Sequence, residues 1–307
     1  VTAFVLGGAA KSGTSTLAEL LGAHPAVHVV PRKEAHHHLF SGAPPAFKGP
    51  GDEAFGRMVV SDPAEWRELL AAGEGCAAVG EASVYYLYRS ECWPRLAEAL
   101  GDDGRVLLVL RDPVERIRSA WGHLVRDGRE PLDLVGSLDA EAARVAAGWE
   151  WCWHHRRVSQ YHDQLPAVLD AFGRDRVLVE DFASMQRDPD GLARRAFAFL
   201  GVDPVAFTSV PVRNPSGAVR SRSLHALLTR PHPAKDLVRP LVPDRLLQAV
   251  YHRALARNLR PLPPTDPEVL DALADELRPV ADGVRDLVGL DTSRWCQPVG
   301  AASETSA

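Results

Sequence analysis

A chain of 307 residues with a formal net charge of −5 and a pI of 6.2 carries no overall field for nucleic acid, though a local basic pocket for a polyanion remains compatible with it. No apolar run is long enough to span a bilayer and no charged-then-apolar leader is visible, so the expectation is a cytoplasmic protein without a membrane span. The length suits one α/β core, expected over 1–297, with 298–307 as a disordered tail.

Phe4-Val5-Leu6 reads as a short buried strand, and Leu17, Leu20 and Leu21 have helical spacing. Between them the pattern G-x-x-x-x-G-K-[ST] fits from Gly8 to Gly13 and again at Ser15, but Thr14 holds the lysine position and the lysine stands at Lys11. A loop between strand end and helix start is a place for an anion, because first-turn amides lack internal partners and carry the positive end of the helix dipole. The displaced lysine argues against an ordinary ATPase.

Val27 to Val30 reads as a second strand that delivers Lys33 to His38 to the end of a sheet. Gly42 to Gly51 is a Gly/Pro-rich loop, and Asp62-Pro63 opens a helix bearing Trp66, Leu69 and Leu70. Ala77 to Glu81 reads as a third strand, Glu91 to Leu100 as a helix, and Val106 to Leu110 as a strand buried on both faces. Asp112-Pro113-Val114-Glu115 has the N-cap, first-turn proline and third-position glutamate of a helix start; Ile117, Trp121, Leu124 and Val125 give that helix its apolar face. Trp149 to Phe172 has the length of one long helix with an interruption near Pro166, followed by the strand Val177 to Val179 and the helix Leu192 to Leu200. Beyond Pro211, Asn214 to Arg222 is a polar, basic loop, and helices separated by prolines complete the chain. The alternation predicts a P-loop-like three-layer α/β fold, a mostly parallel sheet between helices with a helical C-terminal part. Cys76, Cys92, Cys152 and Cys296 lack C-x-x-C spacing and read as reduced thiols.

Four stretches together resemble the sulfotransferases that use 3′-phosphoadenosine 5′-phosphosulfate (PAPS), in the branch of the heparan sulfate and related carbohydrate enzymes. They are Lys11 to Leu17 with His24-Pro25, Arg32 to Phe40, Val106 to Trp121, and Val177 to Phe182 leading into Phe199 to Val202. They span about two thirds of the chain in the family's order. The resemblance implies PAPS as sulfuryl donor, no required metal, and a small-molecule or carbohydrate acceptor, with a bacterial secondary metabolite or a glycolipid both compatible. It further implies that Lys11 stabilises the leaving phosphate and that Ser12, Gly13, Thr14, Ser15 and Thr16 cradle the 5′-phosphosulfate. Glu34 is the implied base, with His36 as helper or alternative base, and Arg111 and Ser119 are the implied clamp on the 3′-phosphate. Arg220 and Arg222 are basic-loop residues placed to close over the nucleotide.

Sulfuryl transfer passes through a loose transition state, by analogy with phosphoryl transfer, so positioning and charge neutralisation are the protein's main contributions. Arg116 and Arg118 read equally as residues of a solvated helix face. His36-His37-His38 invites a zinc reading, but three consecutive histidines on a regular element cannot all face one ion. Where relatives often carry a second lysine in a Gly-Glu-Lys-[ST]-Pro segment, Gly80-Glu81-Ala82-Ser83 has Ala82, so either Arg89 or another arginine replaces it or the acceptor differs from the relatives' sugars. Two other readings stand beside this one. The first is a Mg·ATP phosphotransferase with Val177 to Asp181 supplying the metal carboxylate; the second is a nucleotide-binding module without turnover.

Overall fold

The computed structural model describes residues 1–205 and 262–299, with the backbone of 218–219 and 259–260. Strands β1 (Thr2–Gly8), β2 (Val27–Val29), β3 (Ala78–Ala82), β4 (Arg105–Leu110) and β5 (Val177–Asp181) pair in parallel in the order β2-β3-β1-β4-β5. Side chains alternate between faces along a strand, and both faces here are covered. Val106, Leu108 and Leu110 of β4 enter one core with Trp93, Ile117, Leu165 and Leu277. Leu107 and Val109 enter the other with Leu17, Leu21, Leu192 and Phe197.

The first core is closed by helices α3 (Trp93–Leu100), α4 (Pro113–Arg126), α5 (Tyr161–Phe172) and α7 (Pro267–Val288), the second by α1 (Thr14–Gly22) and α6 (Pro189–Leu200). Helix α2 (Pro63–Ala71) packs Trp66 against Val30, Ala35 and Val60 beyond the sheet. Parallel pairing sends all five carboxyl ends to one edge, the edge at which open α/β sheets bind ligands. The loops carrying Lys11, Glu34 and Arg111 all start there.

The helix expected from Trp149 to Phe172 is broken. A 3₁₀ turn, Trp151–Trp153, and a short helical turn, His155–Val158, precede α5, which contains Pro166 in its interior. Burial of Trp151, Trp153 and His155 outweighs helical continuity there. The four cysteines are free, as their spacing predicts. Among the described residues no helix is long and apolar enough to cross a membrane.

Candidate active site

Between β1 and α1 the backbone turns through left-handed conformations at Lys11 (φ 70°) and Gly13 (φ 81°). A Cβ on Gly13 would lie 1.9 Å from Met185 Cε and 2.7 Å from Phe182 Cε2, so conformation and space both require glycine. No side chain caps α1 and no carboxylate lies in its first turn, which leaves amide dipoles for an external anion.

Lys11 is held down to about 8, first by burial, then by Arg126, Lys33 and Arg111, with Asp127 opposing. The same crowding reaches His123 on α4, held well below the usual imidazole range by burial and then by Lys11, Arg126 and Arg129. Cations gathered around a buried amine at an uncapped helix start are what a polyanionic nucleotide would neutralise. A 5′-phosphosulfate and a 3′-phosphate fit this donor set.

After β2 the chain crosses the end of β3. The Glu34 amide donates to the Ala82 carbonyl at 2.9 Å, and Glu34 Oε2 accepts the Val84 amide at 3.0 Å, with φ 62° at Glu34. Lys33 Nζ lies 2.5 Å from Ser15 Oγ and 3.2 Å from Glu34 Oε1, so one ammonium links the anion loop to the carboxylate. His36 is fully buried among Phe55, Tyr85, Tyr86 and Trp151. Its Nδ1 is 2.9 Å from the Glu34 carbonyl and its Nε2 is 3.5 Å from Glu34 Oε2. Burial dominates over the Glu34 charge and lowers its basicity, so the ring is neutral. With Nδ1–H donated to the carbonyl, Nε2 turns a lone pair toward Glu34, ready to accept a hydrogen bond once that carboxyl holds a proton.

Beneath this pair, Ser83 Oγ and Tyr86 OH donate to Glu81 at 2.6 and 2.7 Å. Burial raises the Glu81 carboxyl to about 7. Ser83 Oγ in turn accepts the His36 amide at 2.9 Å, and Tyr86 OH accepts the His38 amide at 3.3 Å. The three consecutive histidines diverge: His37 Nδ1 bonds the Val60 carbonyl at 2.8 Å, and His38 Nε2 lies 4.0 Å from Glu81. They share no common ligand point.

Arg111 leaves the end of β4 over the ring of Phe182, 4.8 Å away, with Nη1 3.3 Å from the Lys11 carbonyl and Nη2 3.3 Å from Glu115. Asp112 Oδ1 caps α4 by accepting from Val114 and Glu115 amides at 2.8 and 3.0 Å. The Glu115 carboxylate, expected to close that cap, reaches Arg111 and Arg118 instead. Ser119 lies partly buried on α4, one turn before His123. Arg116 departs from the solvated-face reading: it is buried, donating to Ser159 Oγ and the His155 carbonyl at 2.6 Å each. Arg220 and Arg222 lie outside the described residues.

Lys33, His123 and Arg126 are the residues that the sequence left unassigned. The spacing Ser119, His123, Arg126 marks one face of α4 and was the available signal for two of them. Arg89, a suggested substitute for the lysine absent at Ala82, is instead paired with Glu91 and lies 4.9 Å over Trp151.

Neither a family model nor a curated protein sequence matches the chain. Among solved structures, a sulfotransferase from Alicyclobacillus acidocaldarius is similar at 31% identity and a TM-score of 0.74, over 96% of this chain and 98% of that one. Mouse sulfotransferase SULT7A1, solved with PAP, gives 17% identity and a TM-score of 0.46 over 93% of this chain and 88% of that one. The sulfotransferase domain of the curacin biosynthetic pathway gives 14% and 0.44 over 66% and 74%. A parallel sheet with an uncapped anion loop, and a relative sharing 31% of its residues over nearly the full length of both chains, together place the protein: it belongs to the sulfotransferase family.

Proposed function

We propose that the protein transfers a sulfuryl group from PAPS to a hydroxyl of a small-molecule or carbohydrate acceptor. The observation that carries this reading is the Lys33 bridge, 2.5 Å to Ser15 and 3.2 Å to Glu34, which sets a base and an anion loop side by side. Lys11, Ser12, Gly13, Thr14, Ser15 and Thr16 would hold the 5′-phosphosulfate, and Arg111 with Ser119 the 3′-phosphate. Glu34 accepts the acceptor's proton as its oxygen bonds to sulfur, and the sulfur–oxygen bond to the 5′-phosphate breaks. Lys11 and Lys33 meet the charge left on that phosphate, with Lys33 in the role of the cation absent at Ala82. His36 stabilises protonated Glu34 through Nε2 and is a positioning residue, since its side chain is buried away from any substrate.

The Mg·ATP alternative is disfavoured by the carboxylates it needs. Glu180 is clamped by Arg195 at 2.6 and 2.8 Å, and Asp181 Oδ1 accepts from Trp295 at 3.3 Å. A thermal-shift titration separates the readings, because a ligand at ~100 times its Kd adds about 2.7 kcal/mol. PAP without metal should stabilise the wild type and do so less for Lys11→Ala. Stabilisation by Mg·ATP alone would replace this reading with the phosphotransferase.

A further inference from the structure

A pocket of about 400 Å³ is lined by Tyr88, Arg89, Trp149, Trp151, His154 and Arg157 among others, and shares Trp151 with the cage around His36. We infer that it is the recognition subsite for the acceptor and takes a ring that carries an anionic group. This rests on the sulfotransferase reading above.

Position comes first. Trp151 lines the pocket, and its ring also packs against Tyr85 at 5.4 Å and His36 at 6.0 Å. Val84, whose amide holds the Glu34 carboxylate, directly precedes Tyr85, and the same stretch of chain runs on to Tyr88 and Arg89. The pocket is thus tied to the base through Trp151 and the residues it packs on, His36 and Tyr85.

Shape and charge define the occupant. Trp149 and Tyr88, both partly exposed, offer flat apolar surface suited to a sugar's C–H face or an aromatic ring, while Trp151, stacked on Phe40 and covered by Arg89, backs them. Trp149 is held by Trp153, 4.8 Å away, and by the guanidinium of Arg144 at 5.2 Å, so the wall is built before a ligand arrives. Two guanidinium groups reach the rim. Arg89 is balanced by Glu91, and neighbouring Arg156 is taken by Glu276 at 2.8 Å. Arg157 is exposed and, among the described residues, has no ion pair; its side chain meets the Tyr88 hydroxyl, and Glu141 accepts its backbone amide. His154, bonded to Tyr88 OH at 2.8 Å, is held at about 4 by burial and then by Arg157, so it adds no charge. A guanidinium with a neutral partner and no carboxylate on its side chain, in an aromatic pocket, selects an anionic ring over a neutral one.

The test is calorimetric titration of the PAP-saturated protein with phenyl β-D-glucuronide and with phenyl β-D-glucoside, on wild type and Arg157→Gln. The glucuronide should bind about tenfold more tightly than the glucoside, and Arg157→Gln should remove most of that preference. PAP affinity, measured on the same samples, should not change in the variant, which also shows that it is folded. Equal affinity for the two glycosides, an undiminished preference in the variant, or no binding of either while PAP still binds would overturn the subsite and leave the sulfotransferase reading intact. Failure of wild type to bind PAP would overturn that reading, and with it the acceptor role of the pocket, even if the glucuronide bound.

Discussion

Raising the pH from 7 to 9 should weaken PAP binding through a single group, Lys11. Its amine is depressed to about 8 from an ordinary 10.5 because burial and the neighbouring Arg126, Lys33 and Arg111 disfavour its charge. A bound phosphate removes that penalty and returns the amine to full protonation. In the free protein about one Lys11 in ten is protonated at pH 9, so Kd should rise about tenfold over the interval, near 1.4 kcal/mol. Nucleotide phosphate monoesters, with a second pKa of about 6, are already about nine-tenths ionised at pH 7 and add little to the step. The stability of the free protein moves the opposite way. The unfolded chain binds more protons than the folded one between about 8 and 10.5, so Lys11's contribution to stability rises with pH across that window. Calorimetric titration of PAP at fixed ionic strength measures the first effect. Lys11→Arg, always protonated, should flatten the profile. A Kd that does not change between pH 7 and 9, or a Lys11→Arg variant with the wild-type step, would refute the assignment.

The other predictions follow from geometry. Glu34→Gln should lower kcat by about 10²- to 10⁴-fold while PAP affinity stays within about twofold, as single-turnover kinetics beside calorimetry would show; a parallel loss of PAP binding would move Glu34 from base to nucleotide ligand. Gly13→Ala should cost about 1–3 kcal/mol in denaturant unfolding and abolish PAP stabilisation, because its Cβ meets Met185 and Phe182 at a positive φ. Wild-type PAP binding by that variant would show that the loop relaxes without loss of the cradle.

Much of this site was legible because its chemistry is written locally. Lys11 and Gly13 stand in a strand–loop–helix motif, and Asp112-Pro113 announces the start of α4, as the Asp112 cap at 2.8 and 3.0 Å bears out. Lys33 was not legible, because its role depends on Ser15, a residue of a different loop brought alongside by the sheet. The histidines were legible only through the resemblance, which singles out His36, since three identical letters alone do not separate a caged ring at 36 from one stacked on Trp66 at 37. Arg116 misled in the other direction. A charged residue on an amphipathic helix is expected to face water, yet Ser159 and the His155 carbonyl hold this one inside. The long helix over Trp149 to Phe172 failed for the related reason that burying two tryptophans rewarded a 3₁₀ turn over helical continuity.

Backbone strain and chemistry coincide in this protein. Among the described residues four non-glycines have positive φ, and three of them, Lys11, Glu34 and His36, are candidate site residues; the fourth, Cys296, is tied by its amide to the Asp112 side chain at 2.7 Å. Left-handed backbone at such residues costs of order 1–3 kcal/mol each and persists only where the surroundings over-determine it. They do so here. Glu34 is fixed from both sides of β3's end, by the Ala82 carbonyl and the Val84 amide, and His36 is fixed by Ser83, which Glu81 orients. These anchors all lie on the segment Glu81 to Val84, the stretch in which this chain has Ala82 where the carbohydrate branch it resembles often has a second lysine. On the proposed mechanism that segment aims Glu34, and the cation's part falls to Lys33, which touches both Glu34 and the anion loop. Neutralising Lys33 should accordingly disturb the base and the donor together, whereas neutralising Glu34 disturbs the base alone.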